Sequence, residues 1–339
     1  MRRQDNPKNR FESRELEWDD DPAPYALLEV HEERCKTIVN PNDSPDLQFM
    51  YSVNPYRGCY HGCAYCYARP THQYWGYGAG TDFDRKIIVK VNAVELLRAR
   101  FDKSDWVGEP ITFSGNTDCY QPLEAARRLT RGCLEVCAEY RNPVMIITKS
   151  ALVMRDLDLL LELHEKASVR VYISIPFADD AHARLIEPGA SVTSKRFAAL
   201  EALSRAGIAT GIAIAPIIVG LNDQDIPQLL TRARDAGATQ AFRVALRLPA
   251  EVLPVFESRL AQAFPDRASK VMSAVVQIRR GKKNESQFGE RMRGHGPRWQ
   301  VVDDLFALHC DRLGLSHDRE MQPAPVRTFQ RPGGQLALF

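Results

Sequence analysis

No apolar run in this chain approaches the roughly 20 residues that a helix needs to cross a bilayer. The longest, such as Gly211 to Gly220, are short and interrupted by Pro216. The opening residues, Met1-Arg2-Arg3-Gln4-Asp5-Asn6-Pro7, lack the apolar segment of a secretion signal. The two absences argue against a helical membrane protein and against export, so the expectation is a cytoplasmic chain with no membrane partner. An excess of one charge is missing too: 45 Lys and Arg against 43 Asp and Glu leave a net charge of +2. That balance neither demands nor forbids a nucleic-acid partner, because only a local basic patch matters for phosphate binding. Cysteine is too sparse for a disulfide scaffold, with eight in 339 residues, which again fits a reducing compartment. No internal repeat appears beyond an alternation of strand-like and helix-like segments.

The composition, 44% hydrophobic and 26% charged, is that of an ordinary globular protein with a substantial core. Residues 1–24 are polar, carry both charges and end in Asp19-Asp20-Asp21-Pro22, which predicts a mobile tail. Residues 25–48 have isolated apolar positions without clear periodicity and are expected to drape over the core as an N-terminal extension. From Phe49 a βα rhythm begins. Strands are predicted at Phe49–Val53, Ile111–Gly115, Val144–Thr148, Val169–Ile175, Ile208–Ala215 and Ala241–Leu246, with Ile87–Val91 as a short strand outside this series. The intervening helices are placed at Ala93–Phe101, Leu123–Tyr140, Leu152–Lys166, Thr193–Arg205 and Asp225–Ala236. Six βα steps in order predict a parallel sheet with right-handed crossovers over residues 49–250. Residues 251–339 break the rhythm. This C-terminal extension reads as helix to about 278, a Gly-rich basic loop over 279–298, a helix at Trp299–Leu313 and an extended, Pro-containing end.

Against this background one loop stands out: Asn54-Pro55-Tyr56-Arg57-Gly58-Cys59-Tyr60-His61-Gly62-Cys63-Ala64-Tyr65-Cys66-Tyr67. Its three thiols, Cys59, Cys63 and Cys66, are soft ligands suited to zinc or an iron–sulfur cluster. A structural zinc site needs four protein ligands, with His61 or His72 as candidates for the fourth. No fourth cysteine follows soon after, so three thiolates on a cubane leave one iron open to a small molecule.

The C-x3-C-x2-C pattern with Tyr65 before its last cysteine resembles the radical S-adenosylmethionine (radical SAM) superfamily. The longer run N-P-Y-R-G-C-x-H-G-C-x-Y-C-Y-A-R-P-T-H is similar to the branch that includes spore photoproduct lyase, often labelled DNA repair photolyase. The resemblance implies a partial (β/α)6 barrel with a [4Fe–4S] cluster and S-adenosylmethionine at the C-terminal ends of the strands. It implies an enzyme that reductively cleaves S-adenosylmethionine to a 5′-deoxyadenosyl radical, which abstracts hydrogen from a substrate. It also implies an electron donor of the flavodoxin or ferredoxin type.

The strand tips carry the remaining candidates. Ser114, Gly115, Asn116 and Thr117 form a small polar turn after the second strand, fit for close approach to a zwitterion; the resemblance assigns this tip to the amino group of S-adenosylmethionine. Lys149 ends a buried strand and needs an anion, which the resemblance supplies as the ligand's carboxylate. Ser174 matches a ligand-contacting position of the branch. Arg196 either holds the same carboxylate bidentately or pairs with Glu187. Pro216 belongs to a stretch placed against adenine, and Tyr65 is positioned to stack near it. Cys119 is a candidate hydrogen-atom donor, although it follows Thr117-Asp118 where the lyase's own cysteine precedes the corresponding run; the alternative is an inert buried thiol. The basic loop, with Arg279, Arg280, Lys282, Lys283, Arg291, Arg293 and Arg298 near Phe288 and Trp299, is a candidate nucleic-acid contact. The competing reading from another class is a non-catalytic zinc or iron–sulfur module that binds nucleic acid.

Overall fold

The computed structural model describes residues 6, 7, 10, 27–47, 49–317 and 327–333. Ten strands are present among them: β1 (Glu29–Glu33), β2 (Val39–Pro41), β3 (Tyr51–Val53), β4 (Tyr56–Arg57), β5 (Lys86–Lys90), β6 (Ile111–Phe113), β7 (Val144–Thr148), β8 (Val169–Ser174), β9 (Ala209–Ile217) and β10 (Gln240–Ala245). The main sheet runs β10-β9-β8-β7-β6-β3-β2. Its six parallel strands follow chain order, and only β2 is antiparallel, against β3. The edge strands β10 and β2 do not pair with each other, so the barrel is open on one side. Side chains such as Ile146, Ile173, Ile212 and Ile214 are fully buried in one continuous core. On β7 the alternate residues Met145 and Ile147 are only half-buried, and Ile147 borders the cavity described below.

Several elements depart from the sequence expectation. Residues 25–48 contribute two strands rather than a drape. β1 pairs in parallel with β5, and β4 completes this second, three-stranded sheet. β1 reads Glu-Val-His-Glu-Glu and shows no amphipathic alternation; pairing with the apolar β5 holds it extended. The helix expected at Leu123–Tyr140 is two helices, Glu124–Arg127 and Leu129–Glu139, broken at Arg128 with φ 52°. Glu124 explains the break, because its carboxylate accepts from Thr130 N at 3.0 Å and Arg131 N at 3.2 Å and so caps the second helix. The stretch at 250–278 is likewise two helices, Val252–Ala263 and Pro265–Ile278, with Pro265 opening the second. The C-terminal helix spans Gly296–Leu313 and packs on the helix Ile226–Asp235.

The tail at 1–24 lies outside the described residues except for 6, 7 and 10, of which Arg10 donates to Glu251 at 2.9 Å. Of the extended C-terminal end, 318–326 and 334–339 also lie outside; within 327–333, Arg331 donates to the carbonyls of Phe101 and Trp106. Among the described residues no helix is long and apolar enough to cross a membrane.

Both extensions meet over the open side. Arg291 donates from Nε to Asp46 Oδ2 at 2.5 Å and from Nη2 to Ser44 Oγ at 2.6 Å, while Gly289 N donates to Asp46 Oδ1 at 2.6 Å. Ala245 N, at the end of β10, donates to Met292 O at 3.0 Å. This clasp fastens the loop at 42–47 to the basic loop across the barrel mouth.

Candidate active site at the strand tips

The cysteine loop leaves β4 through Gly58, whose φ of +71° suits glycine. A Cβ at Gly58 would stand 3.0 Å from the carbonyls of Phe83 and Lys86, and Cys59 N donates to that Phe83 carbonyl at 2.9 Å. On the far side the loop runs into a 3₁₀ helix at Arg69–Trp75. Arg69 is fully buried and fixes the loop from within. Its guanidinium donates to Cys63 O at 2.9 and 3.1 Å, to the carbonyls of Ala79 and Gly80 at 2.9 Å, and to Asp84 Oδ1 at 2.8 Å. Gly189 presses on the loop from another side: its N–H donates to His61 O at 2.8 Å, and a Cβ there would come within 2.1 Å of Tyr60 O.

Cys59, Cys63 and Cys66 line one cavity of about 400 Å³ at the C-terminal ends of the parallel strands. Burial pushes the Cys63 thiol well above its ordinary value, and Glu187 adds to the rise. Cys66 is raised to about 11 by burial and by Cys59 beside it. His61 lines the same wall, with Nδ1 at 3.4 Å from Asp118 Oδ2. Burial alone would lower it, but Cys59 and Asp118 outweigh burial and raise it to about 10. His72, the other histidine weighed as a zinc ligand, packs tilted against Tyr77 and edge-to-face with Phe83, and burial lowers it to about 4.

The strand tips bring most of the expected residues to this cavity. Lys149, just past β7, donates from Nζ to Ser174 Oγ at 2.9 Å and approaches Ala215 O at 3.5 Å. Burial lowers its ammonium below the usual lysine range. Tyr65 lies 5.7 Å from that ammonium by ring centroid, and its hydroxyl donates to Glu187. Pro216, after a cis peptide bond, lines the wall with Ser114, Gly115 and Thr117. Ser114 holds φ 76° and accepts from Cys119 N at 2.9 Å, while Thr117 Oγ1 is tied to Tyr56 O and Asn54.

Three candidates lie elsewhere. Asn116 is exposed and outside the cavity wall. Arg196 is fully buried and donates to Glu187 at 2.5 Å, Ser174 O at 2.9 Å and Ser191 O at 2.5 Å, the ion-pair alternative of the two readings above. Cys119 is fully buried in the main core and does not border the cavity; burial, then Asp118, hold its thiol well above the ordinary value. The basic loop reaches the cavity through Arg291 and Met292. Arg279 is buried and donates to backbone carbonyls, Arg280 pairs with Glu290 at 3.0 Å, and Lys283 pairs with Glu257 at 2.7 Å.

Three contributors were given no role in the site from the sequence: Asp118, Arg69 and Arg247. Asp118 accepts from Thr148 Oγ1 and Lys149 N, each at 2.7 Å, and from Tyr120 N at 2.9 Å. Against burial, His61 and these donors hold its carboxyl down to about 2. Arg69 sat in the motif itself, three residues after Cys66; its position just past the thiols was the available signal.

Comparison with known proteins agrees with this geometry. The sequence model of the Radical SAM superfamily matches residues 53–233. An uncharacterized protein of Mycobacterium tuberculosis is 35% identical over 305 residues, covering 89% of this chain and 85% of the other. A radical SAM Nα-GlyT isomerase of Pseudomonas phage M6 is 25% identical over 267 residues, 78% of this chain and 52% of the other. Among solved structures, spore photoproduct lyase complexed with dinucleoside spore photoproduct aligns with a TM-score of 0.62 at 16% identity, covering 85% of this chain and 81% of that one. A mutant of the lyase with bound AdoMet and the same dinucleoside aligns with a TM-score of 0.61 at 16% identity, covering 86% and 81%.

Proposed function

The chain belongs to the radical SAM superfamily, and from that premise we propose that it cleaves S-adenosylmethionine reductively at a [4Fe–4S] cluster held by Cys59, Cys63 and Cys66. The donor set fits the group. Three thiols from one rigid loop face a cavity shared with Lys149 and Ser174, and this shared cavity is the observation that carries the reading. Among the described residues no three His, Cys, Asp or Glu side chains are placed to share one metal ion; thiolates on a cubane take separate irons. His61, in the same wall, has Nδ1 at 3.4 Å from Asp118 Oδ2 and also lies beside Cys59. Held by these three cysteines and Lys149, cluster and ligand would supply a one-electron reductive cleavage of the sulfonium, the electron coming from an external carrier, and so the means to remove a hydrogen atom from a substrate.

The protein's own residues position and shield. Lys149 presents a desolvated ammonium to the ligand's carboxylate, with Ser174 fixing its direction. Asp118 holds the backbone of Lys149 and the ring of His61 in one network. Tyr65 and Pro216 offer flat apolar surface for the adenine, and the Ser114–Thr117 turn offers oxygen acceptors for the amino group. The clasp of Asp46 and Arg291 limits water at the mouth. An acidic electron carrier of the flavodoxin or ferredoxin type is the reductant consistent with this chemistry. For the substrate we propose nucleic acid, supported by the aromatic and basic side chains Phe49, Tyr67, Arg247 and Arg291 in the wall.

Anaerobic reconstitution is the test: about four irons and four sulfides per chain, and 5′-deoxyadenosine on dithionite reduction. One zinc per chain without cleavage would sink the proposal in favour of a structural module. Incubation with a deuterated oligonucleotide then places label in 5′-deoxyadenosine, and its absence from every oligonucleotide tried counts against the nucleic-acid substrate. Lys149→Met is expected to keep its iron and weaken S-adenosylmethionine binding by about 10- to 100-fold, the worth of one charge-assisted hydrogen bond. Equilibrium binding to the iron-loaded protein measures it.

A further inference from the structure

The buried arginines of this protein share a habit. Arg69, Arg196 and Arg279 each direct their donors to backbone carbonyls, and the first two also to a buried carboxylate. The charged groups of the cavity wall are equally well matched. Asp118 is ringed by donors, Lys149 meets Ser174, and Arg291 meets Asp46 and Ser44. Arg279 also leaves its Nε unpaired, but Arg247 differs from all three in having no oxygen acceptor among the described residues.

Arg247 lies just past β10 in the cavity wall and is half-buried. Its Nε is buried with no hydrogen-bond partner among the described residues, and Nη1 reaches only the Met292 sulfur, at 3.6 Å. A guanidinium carries five donors in a fixed fork and never deprotonates at working pH. Leaving the buried Nε–H without an acceptor is costly unless one arrives. Burial, then the neighbouring Arg291, lower its affinity for its proton against the weaker pull of Tyr67 and Asp46. The guanidinium stands 5.5 Å from the ring centroid of Tyr67. Tyr67 is 46% exposed, and its hydroxyl donates to Gly115 O at 2.8 Å, so the ring is held in place with part of its surface open. An arginine fork beside a fixed, open aromatic ring is a pairing suited to a phosphate next to a stacked base.

We propose that Arg247 binds a phosphodiester of a nucleic-acid substrate while Tyr67 stacks on an adjoining base, so that this corner of the cavity selects the substrate. The assignment rests on the nucleic-acid reading above and names the group recognised.

The probes are a deoxydinucleotide, its uncharged methylphosphonate analogue and glutarate, each titrated into iron-loaded protein with S-adenosylmethionine present. The dinucleotide is expected to bind at least about tenfold more tightly than the neutral analogue, as one charge-assisted contact implies. Arg247→Gln is expected to bring it down to the analogue's level, and Arg247→Lys, which keeps charge without the fork, to recover part of the difference. Thermal melting of each variant reports folding, and Arg247→Lys decides the matter if Arg247→Gln fails to fold. Equal binding of the two dinucleotides, binding of neither, a preference for glutarate, or an undiminished charge preference in the variants would each overturn the assignment. Iron content and dithionite-driven 5′-deoxyadenosine are read on the same samples. Cleavage without a charge preference rejects the role of Arg247 alone, whereas iron loading without cleavage rejects the radical chemistry, and the binding comparison is decisive in either case.

Discussion

Cys63→Ala is expected to leave a folded chain that cannot retain its iron and forms 5′-deoxyadenosine at least about 1000-fold more slowly, because the parts of such a site act as a unit. The reason is local. With only three thiols in the loop, removing one would leave two anchors for the proposed cubane, whose fourth iron the proposal leaves to a small ligand. The nearby histidines have partners of their own among the described residues: His61 faces Asp118, and His72 is wedged between aromatic rings. Cys137→Ala is the control. Cys137 is equally buried but belongs to the main core, away from the cavity. Iron and sulfide analysis with the visible absorption of the reconstituted proteins gives the first readout, and chromatographic assay of 5′-deoxyadenosine the second. Full iron content in Cys63→Ala would contradict the three-thiolate site.

Arg69→Ala is expected to cost about 3–5 kcal/mol of stability, the range for breaking one side of a buried ion pair. Asp84, 1% exposed, would lose the cation at 2.8 Å, and the carbonyls of Cys63, Ala79 and Gly80 would lose their donors. Burial already pushes the Asp84 carboxyl up to about 6 against the pull of Arg69, so in the variant it takes up a proton, which limits the loss. Asp84→Asn keeps an oxygen acceptor for the guanidinium and is expected to cost less than Arg69→Ala. For a chain of this size the larger loss lowers the melting temperature by roughly 5–10 °C. Because the Cys63 carbonyl is among the orphaned groups, Arg69→Ala is expected to retain less iron as well. Melting curves that coincide with the parent protein would refute the anchoring role.

How much of this was legible beforehand follows from how far apart the interacting residues lie. The six core strands could be read because each is a short apolar run between turn signals. β1 could not, since its own residues are largely acidic and its extended form comes from β5, more than fifty positions away. The break at Arg128 has no glycine or proline to announce it; a glutamate at the start of one helix caps the next. The three thiols were conspicuous because all lie within eight residues of one another. Lys149 was found as the polar end of an apolar strand and Ser174 through the family resemblance, and both reach the cavity. Arg196 sits one layer behind: the pattern placed a cation near the site, but its carboxylate partner Glu187 holds it in the core. Asp118 and Arg247 matter through neighbours contributed by other strands, which no single stretch of chain displays.

The clasp over the mouth joins residues 245 positions apart in the chain, Asp46 and Arg291. Contacts of such separation form late, and a chain made from its N-terminus releases the thiols and all ten described strands before Arg291 emerges. In a nascent molecule the strands and thiols are therefore made before the residue that ties the entrance. A cluster acquired before that tie forms would meet an open entrance, and the tie would afterwards hinder its loss.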